Sequence, residues 1–331
     1  MNGFAVGFKK YMPLWVLLAV ISGLTFGYFS PGAAGGLKGA VIPLLFVLIW
    51  LMIIPTNPKQ YIQVLKKPKI LFLGIIFISV LAPLIAYPLA HTILGSNPEL
   101  GIGLILAATV PPGGLIASWT GLLSGDIALA VSLQAITLVI GIIQIPFTLS
   151  ILAGTTAQIP FTIIIQTLAL IVVLPLLAGA ITRIGLLRFV GEKKLKAFSP
   201  NFAVISSLIA LCVVFISTGM KAHDLVNQPQ LIGIGLVAAL GYYLMAYLIS
   251  SLLCRFLKLD YAQSIPLIYG TGTKNLSIAI ALAITAFSDS PYVVLGVVFC
   301  FIIQMPLASV FYKVIPRLLG RSDRVPPMVP N

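Results

Sequence analysis

Lys274 is the residue of this chain best suited to chemistry. It lies in Ile268-Tyr-Gly-Thr-Gly-Thr-Lys274-Asn-Leu-Ser277, inside an otherwise apolar stretch, whereas every other charged residue falls outside such stretches or at the very end of one, as Lys38 does. A charge deep in a bilayer costs a few kcal/mol or more and marks solute paths, ion paths or proton relays. An ammonium in that setting has four uses. It can contact an anionic solute, stand where a mobile cation would sit, exchange a proton, or act as a structural cation capped by backbone carbonyls. Around it, Gly270, Thr271, Gly272, Thr273, Asn275 and Ser277 combine backbone freedom with hydroxyl and amide groups. A second cluster, Thr109-Val-Pro111-Pro112-Gly113-Gly114, precedes Ser118 and Thr120. Ser132 and Gln134 are further candidates, and Gln166 is a weaker one. The acids Glu99, Asp126, Glu192, Asp224, Asp260, Asp289 and Asp323 all fall in connections or tails. Carboxylate cages for metal ions and the carboxylate relays of proton pumps are therefore excluded. No cofactor is expected. Asp126 reads as a helix N-cap.

The elements that hold these residues are membrane spans. The chain has 331 residues, 60% hydrophobic and 8% charged, where a soluble domain carries roughly 25% charged residues. Ten stretches reach the length of about 20 apolar residues that a spanning helix needs. They are Met12–Phe29, Gly36–Ile54, Ile70–Ile93, Gly101–Leu123, Ile127–Ala153, Phe161–Ile181, Phe202–Met220, Leu231–Cys254, Tyr261–Phe287 and Tyr292–Tyr312. The net charge of +13 is not a nucleic-acid signal, because the basic residues lie between spans. Seventeen of the twenty sit on one set of alternating connections, which include Lys9, Lys10, Lys59, Lys66, Lys67, Lys69 and a long connection from Arg183. Only Lys38 and Lys221 sit on the other set. The positive-inside rule puts both termini in the cytoplasm of an inner-membrane protein. Lys9 and Lys10 precede an apolar run too long for a signal peptide. Cys212, Cys254 and Cys300 read as small packing residues, and His91 and His223 as surface residues.

Ten spans divide into five and five, as residues 1–153 and 161–316, with a connecting loop at 154–160, a cytoplasmic loop at 183–200 and a tail at 317–331. An odd number of spans per half makes the halves inverted repeats. The two breaker clusters then occupy the fourth span of each half. Proline removes a donor and clashes with the preceding turn, and glycine permits non-helical backbone, so both helices are expected to open at mid-depth. Pro83, Pro88, Pro146 and Pro175 lie in other spans, so a kink alone says little. Matched interruptions are the pointer to a transporter's binding site. Each second half-helix, from Leu115 or Asn275 onward, presents a positive N-terminus. Two such ends and an ammonium favour a small anion or a neutral oxygen-rich solute.

With these residues in view, the chain resembles the superfamily of bile acid/sodium symporters and arsenical-resistance permeases. Val110-Pro111-Pro112-Gly113-Gly114 followed by Gly125-Asp126-Ile-Ala-Leu-Ala-Val131 is similar to the symporters' Pro-Gly-Gly break and Gly-Asn-Val-Ala-Leu-Ser-Val. The spacing from Pro111 through Trp119 to Gly125-Asp126 is similar to the arsenite permeases, and Gly270-Thr-Gly272-Thr-Lys274-Asn275 resembles the symporters' Glu-Val-Gly-Met-Gln-Asn. The resemblance implies an all-α polytopic fold, with the discontinuous fourth and ninth helices crossing in a core domain beside a panel domain (spans one, two, six and seven). It also implies alternating access to a solute site between the two. Gly270 stands at the symporters' glutamate and Lys274 at their glutamine, both of which help hold sodium. Ala130 and Gln134 stand at hydroxyl ligands of the fifth span. An ammonium roughly 2–3 Å from a sodium ion would repel it by several kcal/mol even at an effective dielectric constant near 20. The usual sodium sites are therefore expected to be lost, with Lys274 supplying their charge. Pro112 stands where the arsenite permeases carry a cysteine, so a thiolate site is excluded there.

The expected function is secondary transport of a small, mostly anionic solute through the lipid bilayer, with a homodimer as one possible assembly. Arsenite or antimonite efflux on the same fold is the alternative. A retinal-type photoreceptor using Lys274 would need an intramembrane carboxylate counter-ion, which the spans lack. An enzyme is not expected, because the spans hold no catalytic constellation.

Overall fold

The structure is a computed structural model that describes residues 11–55, 68–152, 161–287 and 290–320. The expected loop at 154–160, Lys9, Lys10, Lys59, Lys66, Lys67, Asp289 and the tail beyond residue 320 lie outside the described residues. The described chain is helical, apart from one isolated bridge. Its helices are α1 (Met12–Phe29), α2 (Pro31–Ile53), α3 (Pro68–Thr92), α4 (Pro98–Thr109), α5 (Leu115–Leu122), α6 (Ile127–Leu152), α7 (Thr162–Phe189), α8 (Gly191–Met220), α9 (Ala222–Asn227), α10 (Pro229–Phe256), α11 (Tyr261–Gly272), α12 (Leu276–Ala286) and α13 (Pro291–Leu318). Among the described residues, seven helices (α2, α3, α6, α7, α8, α10 and α13) are long and apolar enough to cross a membrane, and shorter apolar helices occur at Leu14–Phe29, Pro98–Thr109 and Leu276–Ala286. Large apolar side chains face outward along them, such as Ile143, Phe147 and Ile151 on α6 and Leu170, Leu174, Leu177 and Ile181 on α7. Such faces suit lipid, as expected of a polytopic membrane protein.

Two sets of helices pack among themselves. In one, α8 lies against α1 and α2, and α7 against α2. In the other, α13 packs on α4 and α10, with α3, α5, α6, α11 and α12 around them. Small residues allow the closest approaches, as is general where lipid removes the hydrophobic drive between helices. A Cβ on Gly103 of α4 would fall 2.9 Å from Gly296 Cα of α13.

The expected cytoplasmic loop at 183–200 is helical instead. Its turn is confined to Val190 and Gly191, the latter at φ 77°. Glycine alone takes that conformation without strain, and the Glu-Lys-Lys-Leu sequence after it favours helix. Arg183 is correspondingly no loop residue. It is buried, and its Nη1 donates to Ile54 O at the end of α2 over 2.9 Å.

Proline shapes α3. A π-helical turn covers Phe77–Leu81, where the N–H of Ala82 reaches back to Phe77 O. In that register the next carbonyl, Ile78, would receive the N–H of residue 83, which is Pro83. The Ile78 carbonyl is thereby left for another donor.

Candidate functional site

The first interruption has a local cause. α4 ends at Thr109, and Val110 is extended at φ −62°, ψ 151°. A residue before proline avoids the helical region, and Pro111 and Pro112 bring no N–H of their own. Helix resumes at Leu115, with no side chain capping its first turn.

The second interruption contains no proline. α11 runs through Gly272, Thr273 and Asn275 leave helical geometry (ψ 96° and 76°), and α12 starts at Leu276 without a side-chain cap. Its backbone groups are taken up from outside. The N–H of Asn275 donates to Pro111 O over 2.8 Å, and Thr273 O accepts from the N–H of Gly113 over 3.3 Å. These bonds flank an antiparallel bridge between Pro112 and Lys274. The two breaks therefore meet as a pair of minimal strands, and non-helical backbone at this depth is satisfied by protein, as a membrane interior requires.

A cavity of about 210 Å³ opens beside this crossing. The first turns of both half-helices line it, through Gly113, Gly114, Leu115 and Ser118 on one side and Lys274, Asn275, Leu276 and Ser277 on the other. Leu48 and Met52 of α2, Ser206, Ser207 and Ala210 of α8, and Phe301, Gln304 and Met305 of α13 complete it. The cavity thus lies between the two sets of helices. Two positive helix ends, hydroxyls and amides converge on one wall, and apolar side chains form the rest.

The Lys274 amine does not extend into bulk water. The residue is 2% exposed, and its Nζ donates to Ile78 O over 2.9 Å, the carbonyl released by Pro83. Of the four uses open to this ammonium, the contact matches that of a structural cation capped by a backbone carbonyl. The backbone of Lys274 is gripped as well. Gln304 Oε1 accepts its N–H over 2.8 Å, Gln304 Nε2 donates to its carbonyl over 3.2 Å, and Tyr243 OH donates to the same Oε1 over 3.0 Å.

Of the residues singled out in the sequence, Pro111 and Pro112 build the crossing, and Gly113, Gly114, Ser118, Lys274, Asn275 and Ser277 reach the cavity. The others differ from expectation. Gly270, Thr271 and Gly272 remain helical, so they do not form the break. Their glycines serve packing: a Cβ on Gly270 would meet Ile78 Cδ1 at 2.8 Å, and one on Gly272 would meet Tyr247 Cε1 at 2.6 Å. Thr271 and Thr273 turn their hydroxyls back to Leu267 O and Tyr269 O. Thr120 and Ser132 are fully buried away from the cavity, with hydroxyls that find no partner. Gln134 is half-buried and Gln166 exposed, and neither lines the cavity. Asp126 caps α6 as expected, its Oδ1 accepting the N–H of Leu129 over 2.9 Å.

Sequence reasoning passed over Gln304, Tyr243, Ile78 and the Ser206-Ser207 pair. Gln304 carried a usable signal, since it is an amide in the apolar run 292–312. Ile78 carried none, because its contribution is a carbonyl.

Comparison with known proteins agrees with this architecture. The Sodium Bile acid symporter family matches residues 42–222. The arsenical-resistance protein Acr3 of Corynebacterium glutamicum is 26% identical, over 96% of this chain and 92% of its own length. An uncharacterized transporter of Synechocystis, slr0944, is 23% identical over 93% and 88%. The probable sodium/metabolite cotransporter BASS1 of Arabidopsis thaliana chloroplasts is 26% identical over 84% and 66%. A match across more than half the chain, on a framework of apolar helices, is decisive, and the chain belongs to the Sodium Bile acid symporter family of membrane transporters.

Proposed function

We propose that the chain is an alternating-access carrier of a small, mostly anionic solute that binds in the cavity beside the crossing. The observation that carries this reading is the convergence of both half-helix N-termini on one cavity at the Pro112–Lys274 bridge. Lys274 supplies positive charge from within the protein. Its amine holds the Ile78 carbonyl as a bound cation would, and takes the place of the charge that sodium brings in the symporters. Transport is then independent of sodium. The set α1, α2, α7 and α8 is the panel, against which the other set moves. Ten spans in two inverted repeats, residues 1–153 and 161–316, sit in the inner membrane with both termini cytoplasmic, and a homodimer is compatible with this arrangement.

Reconstitution into liposomes with a panel of labelled anions, with and without sodium and pH gradients, tests the reading. Uptake of at least one anion without sodium is expected, together with its loss in Lys274→Gln. Sodium-dependent uptake by the native protein would overturn the tethered-charge reading, and absence of uptake across the panel would overturn the anion assignment.

Arsenite or antimonite efflux is the second reading, favoured by the full-length similarity to an arsenical-resistance protein. Among the described residues lining the cavity there is no cysteine, so a metalloid would be held as its neutral hydroxide by hydroxyls and amides. Metalloid sensitivity of a deletion strain separates the two.

A further inference from the structure

We infer that Gln304 is the positioning residue of the crossing, acting as a third strand that fixes the backbone of Lys274. In an antiparallel pair, alternate residues turn their N–H and C=O to opposite edges. Thr273 and Asn275 use the edge that faces Pro111 and Gly113. The outer edge, formed by the N–H and C=O of Lys274, would be orphaned in a membrane interior. The Gln304 amide presents one acceptor and one donor to that edge, at 2.8 and 3.2 Å, and so replaces the missing strand. Its orientation follows from the partners: Oε1 must face the two donors, Lys274 N–H and Tyr243 O–H, while Nε2 faces the carbonyl. Tyr243 is fully buried on α10, and its hydroxyl fixes the amide from behind. Helices α10 and α13 thereby hold the peptide from which the Lys274 side chain departs toward Ile78.

The first break needs no counterpart to Gln304 for its donor. Residue 112 stands opposite Lys274 in the bridge, and being proline it has no N–H to satisfy. A mere space-filling role would be met by any side chain of similar volume at 304. A positioning role requires an acceptor there.

Hydrogen–deuterium exchange of the full chain in nanodiscs, with fragmentation fine enough to resolve the Lys274 amide, tests this without any solute. In Gln304→Met that amide should exchange at least tenfold faster, while the amides of 104–109 in α4 keep their native rates. Gln304→Glu retains the acceptor and should keep the Lys274 amide within about threefold of native. Native protection of Lys274 in Gln304→Met would overturn the inference. So would a uniform acceleration across α4, α11 and α13, which would mean general loosening. Should Gln304→Met fail to fold, Tyr243→Phe decides: a two- to fivefold acceleration at Lys274 supports the inference, and no acceleration overturns it. The inference needs only the crossing, so its failure would leave the transport reading standing.

Discussion

The two interruptions meet at one bridge, yet they are made in opposite ways. The first is written into its own residues: Pro111 and Pro112 force Val110 out of the helix and bring no donors that need partners. The second holds no proline and is kept open by groups distant in sequence, namely Gln304 on its outer edge, Pro111 and Gly113 on its inner edge and Ile78 at the amine. A break with a local cause keeps its shape whatever its neighbours do. A break with remote causes responds when those neighbours move. The charged residue lies in the responsive one.

Substitutions can break or sharpen that contrast. The largest effect is expected at the amine. Lys274→Met should lower uptake of the anion identified in liposomes by about a hundredfold, ~2.8 kcal/mol at 1.4 kcal/mol per tenfold. Thermal stability should change by no more than about 1–3 kcal/mol, the cost of leaving the Ile78 carbonyl without its donor, offset in part by removal of a buried charge. A larger loss of stability would make the lysine a structural prop. Gly272→Ala comes next. Its methyl would meet the Tyr247 ring, so a cost of about 1–3 kcal/mol is expected in thermal unfolding. Pro83→Ala returns an N–H to the Ile78 carbonyl in competition with the amine. Uptake should fall severalfold, with unfolding little changed. Pro112→Ala adds a donor on the outer edge of the first strand, and about 1 kcal/mol is expected from leaving it unpaired. The smallest effect is expected from Gly113→Ala. The added carbon would lie 3.7 Å from Asn275 Cα, an ordinary contact, so stability should change by no more than about 0.5 kcal/mol.

The same contrast explains what could be read from the sequence. Apolar run length announced the membrane helices, because burial in lipid acts on composition alone. The Pro111-Pro112 break was legible because proline acts on its own neighbours. The second break was legible only through Lys274. Its glycines, read as points of backbone freedom, instead admit Ile78 and the Tyr247 ring against a continuous helix. Pro83 was visible as one more helix proline, but its consequence lies in which carbonyl it leaves open, and that depends on the π register of α3. Gln304 could have been found by extending to amides the reasoning applied to the lysine. Thr120 and Ser132 have the right chemistry but lie off the cavity, since residue type does not reveal which face of a helix a neighbour covers.

The lengths of the four half-helices carry a consequence for their place in the bilayer. At 12, 8, 12 and 11 residues and 1.5 Å per residue, they measure roughly 12–18 Å, well short of the ~30 Å hydrocarbon slab. None of them can be stable alone among acyl chains with its frayed end exposed. Both pairs therefore depend on the longer helices packed around them for shelter from lipid.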